Sequence, residues 1–299
     1  MRIKAIINPV SGRSSARSVI ADVLGSLKSQ FSLRDGDIFY TLPDDRQIGR
    51  AFFDDCETVF AAGGDGTLNY AINNMKLSGI DRPIAYLPVG TTNDFGGALR
   101  LPKTAEKFCD MLRRPDTRQL DLGLANGTYF HYVVSGGAMS SMCYDTSQRW
   151  KNLLGRGAYV LSTLKNLPRI FESVPISFES EELRGEEDAA LLLVSNSPNV
   201  GGFRNIIPGA KFDDGHLHVL IIRKNPLIKT ARIFLDILRG VHIKHPDVRY
   251  FKTKKIEITQ HGDKDPRLGV DGERGGAFPV KIEVVPRGMT LIVPKYQSA

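Results

Sequence analysis

Along the first 125 residues, short apolar runs alternate with stretches whose apolar positions recur every three or four residues. IKAII (3–7) ends at Asn8-Pro9, and Ile20, Val23, Leu24, Leu27 and Phe31 then follow at the spacing of one helix face. TVFAAG (58–63) precedes Leu68, Ala71, Ile72 and Met75 at the same spacing, and PIAYLP (83–88) precedes the helix-like TAEKFCDMLRR (104–114). Short apolar strands separated by amphipathic helices imply a parallel sheet covered on both faces. The prediction is an α/β domain over 1–125 built on a doubly wound parallel sheet.

Beyond residue 125 the pattern changes. TYFHYVVSGG (128–137), PISFES (175–180), AALLLVSN (189–196), HLHVLIIRK (216–224), VRYFKTKKIEIT (248–259) and FPVKIEVVP (278–286) each read as one strand. Acidic or glycine turns such as EELRGEED (181–188) separate several of them. Two helices interrupt, one around 151–166 and one over 226–239 with Leu227, Ala231, Phe234, Leu235 and Leu238 on a shared face. A strand-rich half predicts a β-sandwich domain over 126–288. Whether the last run, MTLIVP (289–294), brings 289–299 back to the first domain is left open by the pattern.

With 299 residues, 41% hydrophobic and 24% charged, there is apolar material for two full cores and no low-complexity tract. Cys56, Cys109 and Cys143 are scattered, odd in number and without a CxxC pair. They suggest neither a disulfide framework nor a zinc site, and a reducing cytosol fits best. MRIKAIINPV lacks the apolar core of roughly 7–15 residues that marks a signal peptide. No run nears the ~20 apolar residues that span a bilayer, so a soluble, cytoplasmic protein is expected. The net charge of +7 suits nucleic acid, an anionic membrane surface or a phosphorylated substrate, and equally a solvated surface without a dedicated partner.

Three of the predicted strands end in turns of similar build. In AAGGDGTLN (61–69), Gly63-Gly64 can turn sharply and lets backbone N–H groups approach a phosphate. Thr67 is placed to N-cap a helix beginning at Leu68, whose free N–H groups and partial positive charge attract an anion. Asp65 is wrong for that setting, because a carboxylate repels a triphosphate unless a magnesium ion or a protonated hydroxyl lies between them. The plain alternative is a common glycine turn with a capping Asp, and the missing Gly-Lys-Ser/Thr excludes a P-loop. NPVSG (8–12) sets Ser11-Gly12 before a helix that Ser14 or Ser15 could cap, and PVGTTNDF (88–95) offers Gly90, Thr91, Thr92, Asn93 and Asp94. Strand C-termini share one edge of a parallel sheet, so the three turns are expected to converge on one crevice.

In the order NPVSG, GGDGTLN (63–69), LPVGTTNDF (87–95), QLDLG (119–123), KFDDGHL (211–217) and VDGE (270–273), the chain resembles the diacylglycerol kinase catalytic-domain family. Within it the similarity is to the soluble bacterial lipid kinases, and sphingosine kinases share the domain. Each motif is weak alone; the ordered set covers nearly the whole chain and is specific. The resemblance implies a nucleotide held between the α/β domain and the sandwich, with the γ-phosphate of ATP passing to a lipid hydroxyl. Residue by residue it implies that Asn8, Ser11, Thr41, Gly63, Gly64, Asp65, Gly66, Thr67, Leu68, Asn69, Gly90, Thr91, Asn93 and Asp94 line the nucleotide. Thr41 sits in YTLPDD, which matches only a loose pattern.

Phosphoryl transfer is mostly positioning and charge neutralisation. A lipid hydroxyl is barely acidic and needs a carboxylate to accept its proton. VDGERGG (270–276) read alone is an acidic hairpin turn whose alternate positions could set both carboxylates on one side. The resemblance makes Glu273 the base, Asp271 its support, and Asp65 the third member of the catalytic set. KFDDGHL read alone is a tight turn. The resemblance makes it a structural Mg2+ site, through Asp214 and the backbone carbonyls of Lys211 and His216, with Asp65, Asp94 and Asp121 joined through water. Among the histidines, His216 and His218 share a strand face and His242 and His245 are three apart, but none has a clear Cys, Asp or Glu partner at zinc spacing.

An enzyme acting on a lipid must touch a bilayer. SQRWKNLLGRGAYVLSTLKNLPR (147–169) sets Arg149, Trp150, Lys151, Arg156, Lys165 and Arg169 among apolar residues. That suits peripheral contact with the anionic inner face of a membrane, and equally a helix packed on the sandwich or the steering of phosphate. The expected partner is a lipid substrate at that surface and not nucleic acid; a homodimer is left open. One rival is an NAD kinase, which shares the Gly-Gly-Asp-Gly-Thr turn and the two-domain layout but not PVGTTNDF. Another is a catalytically silent nucleotide-binding regulator, against which Asp65, Asp271 and Glu273 stand. Diacylglycerol, converted to phosphatidic acid, is the favoured acceptor because the similarity runs end to end. Phosphatidylglycerol, a sphingoid base or a polyprenol remain as alternatives.

Overall fold

The predominantly apolar runs become covered strands. In the computed structural model, β3 (Thr58–Gly63) and β4 (Ile84–Pro88) are buried at every position. The structure describes residues 1–12, 14–41, 47–91, 93–137, 173–262 and 268–295. The helix expected around 151–166, the basic stretch 147–169, Thr92 and Cys143 lie outside them. The chain divides into two compact units, Met1–Leu120 with Arg287–Ala299, and Asp121–Pro286.

The first unit is a parallel sheet in the order β2 (Ile38–Tyr40), β1 (Ile3–Ile7), β3, β4. The end of β15 (Val280–Val293) joins it, Leu291 standing opposite Ile84 in parallel. Alternation sorts the strands by face. Ala5, Ile7, Phe60, Ala62 and Leu87 pack with Val23 and Leu27 of α1 (Ser14–Phe31) and Phe108 and Met111 of α4 (Ala105–Arg113). The other face carries Tyr86, whose hydroxyl reaches Asp65 at the start of α2 (Asp65–Leu77), and α2 buries Leu68, Ala71, Ile72 and Met75. Each such side chain taken out of water contributes roughly 1.5–3 kcal/mol. α3 (Asp94–Ala98) follows β4.

The second unit is antiparallel. Its strands run β14 (Glu273–Arg274), β13 (Gly269–Val270), β7 (Val133–Gly136), β9 (Arg184–Ser195), β8 (Val174–Ser180), β12 (Lys255–Gln260), β15. β10 (Leu217–Arg223) pairs β9 and β11 (Val248–Thr253), while β5 (Asp116–Ala125) pairs β15 and β6 (Thr128–Phe130). Inward side chains such as Phe130, Val134, Phe178, Leu192, Val219 and Ile258 fill one sandwich core.

Several elements differ from the pattern. TYFHYVVSGG is two strands, because the N–H groups of His131 and Tyr132 bond the Asp271 side chain instead of a neighbouring strand. VRYFKTKKIEIT breaks at Lys254, where the chain leaves its partner β10 for β8 and β15. In EELRGEED only Glu181–Leu183 turns, held by the Ser180 hydroxyl and the Leu183 N–H at 3.0 Å, and Arg184 already begins β9. FPVKIEVVP and MTLIVP form one strand, Arg287 taking the bend at a φ of 52°. α5 (Leu227–Arg239) is where expected, but Leu235 and Leu238 are exposed while Ile233 and Ile237 are buried. The side chains of Leu227, Ala231 and Phe234 lie outside the described set. No helix among the described residues is long and apolar enough to cross a membrane.

Candidate active site

Register sets the ends of the parallel strands side by side: Ile7 lies opposite Ala62 and Tyr40, and Gly63 opposite Pro88. The turns then lock together. The Asn8 N–H donates to the Ala62 carbonyl at 3.0 Å, and the Thr41 N–H to the Ile7 carbonyl at 2.8 Å. The Val89 and Gly90 N–H groups both donate to the Gly63 carbonyl, at 2.9 and 3.0 Å. A Cβ on Gly90 would lie 2.4 Å from the Gly64 Cα, and one on Gly12 would lie 2.1 Å from the Val89 carbonyl oxygen. Glycine is required at these positions because backbone packs on backbone. Within the first loop, Asn8 Oδ1 accepts the Val10 N–H at 3.0 Å, and the Ser11 N–H bonds the Asn8 carbonyl at 3.3 Å.

The helix after β3 begins earlier than its sequence suggests. α2 starts at Asp65 with Gly64 as N-cap and no side-chain cap, so Thr67 is not the cap. The extended backbone of Gly64 lets the helix start there, and the Thr67 and Leu68 N–H groups both bond the Gly64 carbonyl, at 3.1 and 3.2 Å. Thr67 is buried over Gly63, where an added Cβ would meet its Oγ1 at 2.2 Å. Asn69 lies in the next turn, its Oδ1 accepting from Asn73 Nδ2 at 3.0 Å.

Asp65 is buried, and the charge that looked misplaced has donors. Its Oδ2 accepts the Asp94 N–H at 3.1 Å, and its Oδ1 lies 3.4 Å from the Tyr86 hydroxyl. Burial, then the Asp65 charge, push the Tyr86 phenol well above its ordinary value, so it remains a neutral donor. Asn93 adopts a φ of 51° and donates through Nδ2 to the Gly90 carbonyl at 2.6 Å. Its Oδ1 is buried without a hydrogen-bond partner among the described residues. Thr91 is exposed beside it. The glycine cradle, the start of α2 and this orphan acceptor fit a polyanionic ligand that also carries hydroxyl or amino donors, as a nucleotide does.

In the second unit, β13 and β14 form a hairpin whose central residues, Asp271 and Gly272, both have positive φ (50° and 86°). That is the signature of a tight type I′ turn. The two carboxylates meet different environments: Asp271 is 2% exposed, and Glu273 is exposed. Asp271 Oδ2 accepts the His131 N–H at 2.8 Å, Oδ1 accepts the Tyr132 and Val133 N–H groups at 3.0 Å, and the His131 Nδ1 lies 2.6 Å from Oδ2. Burial alone would raise its pKa, but the imidazole and the N–H donors win, and the carboxyl sits below its ordinary value. A carboxylate so engaged positions the hairpin, and Glu273 is left as the accessible group. Sequence reasoning passed over His131; its one signal was a histidine inside an apolar strand run.

Asp121 and the 211–216 loop do come together. Asp121 Oδ2 accepts the Gly215 N–H at 2.7 Å, its own N–H bonds the Phe212 carbonyl at 2.6 Å, and Asn196 Nδ2 donates to its carbonyl at 2.8 Å. Asp214 Oδ1 accepts the His216 N–H at 3.1 Å, and its Oδ2 lies 3.1 Å from His218 Nε2 and 3.3 Å from Lys252 Nζ. His218 thus has the carboxylate partner that its sequence spacing did not reveal; burial lowers its pKa and Asp214 partly offsets this. His216 Nδ1 is 2.7 Å from the Asp214 carbonyl oxygen. Among the described residues no three His, Cys, Asp or Glu side chains gather as a metal centre. Two carboxylates and loop carbonyls are hard oxygen donors that fit Mg2+, which would share Asp214 with the Lys252 ammonium.

Residues 2–125 match the family described as the diacylglycerol kinase catalytic domain, and residues 132–293 the YegS C-terminal NAD kinase beta sandwich-like domain. The chain is 33% identical to a diacylglycerol kinase of Staphylococcus haemolyticus, over 98% of this chain and 88% of that one. It is 32% identical to that of Staphylococcus carnosus, over 98% and 95%. A crystal structure from Bacillus anthracis shares the fold at a TM-score of 0.75 and 24% identity, covering 98% of this chain and 95% of that one. A second one from that organism, of a diacylglycerol kinase, reaches 0.69 at 20% identity, over 98% and 97%.

Proposed function

The chain belongs to the diacylglycerol kinase family of lipid kinases, and from that premise we propose that it transfers the γ-phosphate of ATP to the free hydroxyl of diacylglycerol, yielding phosphatidic acid. The observation that carries this is the locked pair of turns in the first unit, Gly64 against Gly90 with Asp65 holding the Asp94 N–H.

The roles follow from chemistry. The Asn8–Gly12, Gly63–Asn69 and Gly90–Asp94 segments bind and orient the nucleotide, with backbone N–H groups toward phosphate and the Asn93 Oδ1 toward a donor. Glu273, exposed on its hairpin, accepts the lipid hydroxyl's proton as the new P–O bond forms and the bond from the γ-phosphorus to the leaving ADP breaks, and Asp271 fixes the hairpin that presents it. Mg2+ carried with ATP would neutralise phosphate charge, and a structural Mg2+ when bound would brace the 211–216 loop. Asp214, the Lys211 and His216 carbonyls and, through the Gly215 contact, Asp121 are the groups to hold it.

The test is label transfer from γ-labelled ATP to vesicles containing diacylglycerol, phosphatidylglycerol, a sphingoid base or a polyprenol, with NAD as a separate arm. Labelled phosphatidic acid as the dominant product supports the proposal. Label on NAD, or on another lipid in preference, overturns it.

A further inference from the structure

Among the described side chains of helix α5, apolar residues are buried on one side and exposed on another. Ile233 and Ile237 are buried, while Ile228, Leu235 and Leu238 are exposed, Ile228 by 85% and Leu238 by 58%. Val241, just past the Gly240 C-cap, is exposed as well. Half of the exposed large apolar side chains among the described residues fall in this one stretch. Single exposed apolar residues need no explanation, but a cluster does.

The same surface is basic. Arg232 and Arg239 are exposed on α5 beside Ile228 and Leu235. At its foot, Lys229, Arg232, Lys244 and His245 line a shallow cleft of about 600 Å3 together with Asp236 and Asp247. The ion pairs there are long, Lys229–Asp247 and Arg239–Asp236 both at 3.9 Å between well-exposed cations and mostly covered acids. Contacts of that kind hold little energy, so the cations are available to another anion.

We propose that α5 with Val241 is a membrane-docking surface for an anionic bilayer. Ile228, Leu235, Leu238 and Val241 enter the acyl boundary, and Lys229, Arg232, Arg239 and Lys244 meet lipid phosphates. An exposed apolar strip bordered by cations is complementary to a phospholipid interface on both counts. A second copy of the chain fits less well, since a two-fold contact through this face would bring the Arg232 and Arg239 of both copies into one interface. The choice of a bilayer rests on the lipid-kinase reading above. The basic stretch 147–169, for which membrane contact is one of three readings of its sequence, lies outside the described residues.

The test is sedimentation of the full chain with phosphatidylcholine vesicles and with vesicles that also contain phosphatidylglycerol, together with turnover of a water-soluble short-chain diacylglycerol. The wild type should sediment with the mixed vesicles and lose that binding in high salt. Arg232→Glu with Arg239→Glu, and separately Ile228→Ser with Leu235→Ser and Leu238→Ser, should each lower the bound fraction roughly tenfold or more. Turnover of the soluble substrate should stay at the wild-type level. In the wild type itself, hydrogen exchange should slow across 227–241 when mixed vesicles are added, a measurement that needs no variant. Variants that sediment like the wild type, unchanged exchange at α5, or a dimer-to-monomer shift with vesicle binding intact would each overturn the proposal. Vesicle docking lost in the variants of a chain that phosphorylates no lipid would uphold the surface and remove the substrate reading.

Discussion

Asp271 and Glu273 stand two residues apart and meet opposite environments. Glu273 is exposed on β14, so Glu273→Gln should leave stability within about 0.5 kcal/mol of the wild type. Removing a proton acceptor should cut turnover by roughly 10²–10⁴-fold. Calorimetric titration with ADP should show nucleotide affinity unchanged, and full turnover in this variant would eliminate Glu273 as the base. Asp271 is buried under three backbone N–H donors and beside His131. Its folded pKa is depressed, so its contribution is complete above the ordinary carboxylate value and is lost as pH falls through the lower folded value. Asp271→Asn should cost roughly 3 kcal/mol at neutral pH and lose part of the wild type's acid sensitivity below about pH 4. Urea midpoints across pH 3–7 would show this as two curves that converge toward acid, and parallel curves would refute it. The motif made both carboxylates and their turn legible, but not the burial of Asp271, which is set by N–H donors of residues 131–133 far away in sequence.

At the scale of elements, the α/β unit and the sandwich were legible wherever apolar period alone decides. β1, β3 and β4 bury both faces, and α2 buries the stripe its spacing announced. Periodicity fails where side chains intervene or where an element is apolar on more than one side. His131 and Tyr132 break a strand by bonding a carboxylate 140 and 139 positions away, and on α5 Ile233 and Ile237 are buried while Leu235 and Leu238 of the expected stripe are exposed. What no pattern could show is how closely turns approach. Gly90→Ala forces a Cβ to within 2.4 Å of the Gly64 Cα, and neither backbone can yield without losing the Val89 and Gly90 bonds to Gly63. The expected cost is about 1–3 kcal/mol, with nucleotide affinity falling at least tenfold because the cradle itself is displaced. A thermal melt beside an ADP titration separates the two effects. Lowered stability with wild-type ADP affinity would show that the Gly64–Gly90 contact is packing and not the nucleotide cradle.

For the whole molecule, the decisive feature is that the first unit is assembled from segments at both ends of the chain. MTLIVP carried no local sign of its destination, since a parallel partner is remote by nature and Ile84 lies far from Leu291 in sequence. Yet Met289, Leu291, Ile292 and Val293 are buried there, and Ile292 joins the cluster that holds α1 and α4 on the sheet. At roughly 1.5–3 kcal/mol per buried side chain, these four approach the ~5–15 kcal/mol that separates a folded domain from its unfolded chain. Their loss would also bare β4 as an edge strand, with unpaired backbone groups that invite aggregation. A chain ending at Pro286 should therefore lose ADP binding and cooperative melting of the first unit, even though every residue that lines the proposed nucleotide site is still present. If that chain binds ADP with wild-type affinity, the three strand-end turns are held by β1, β3 and β4 alone. The energetic weight assigned to the returning strand would then be wrong.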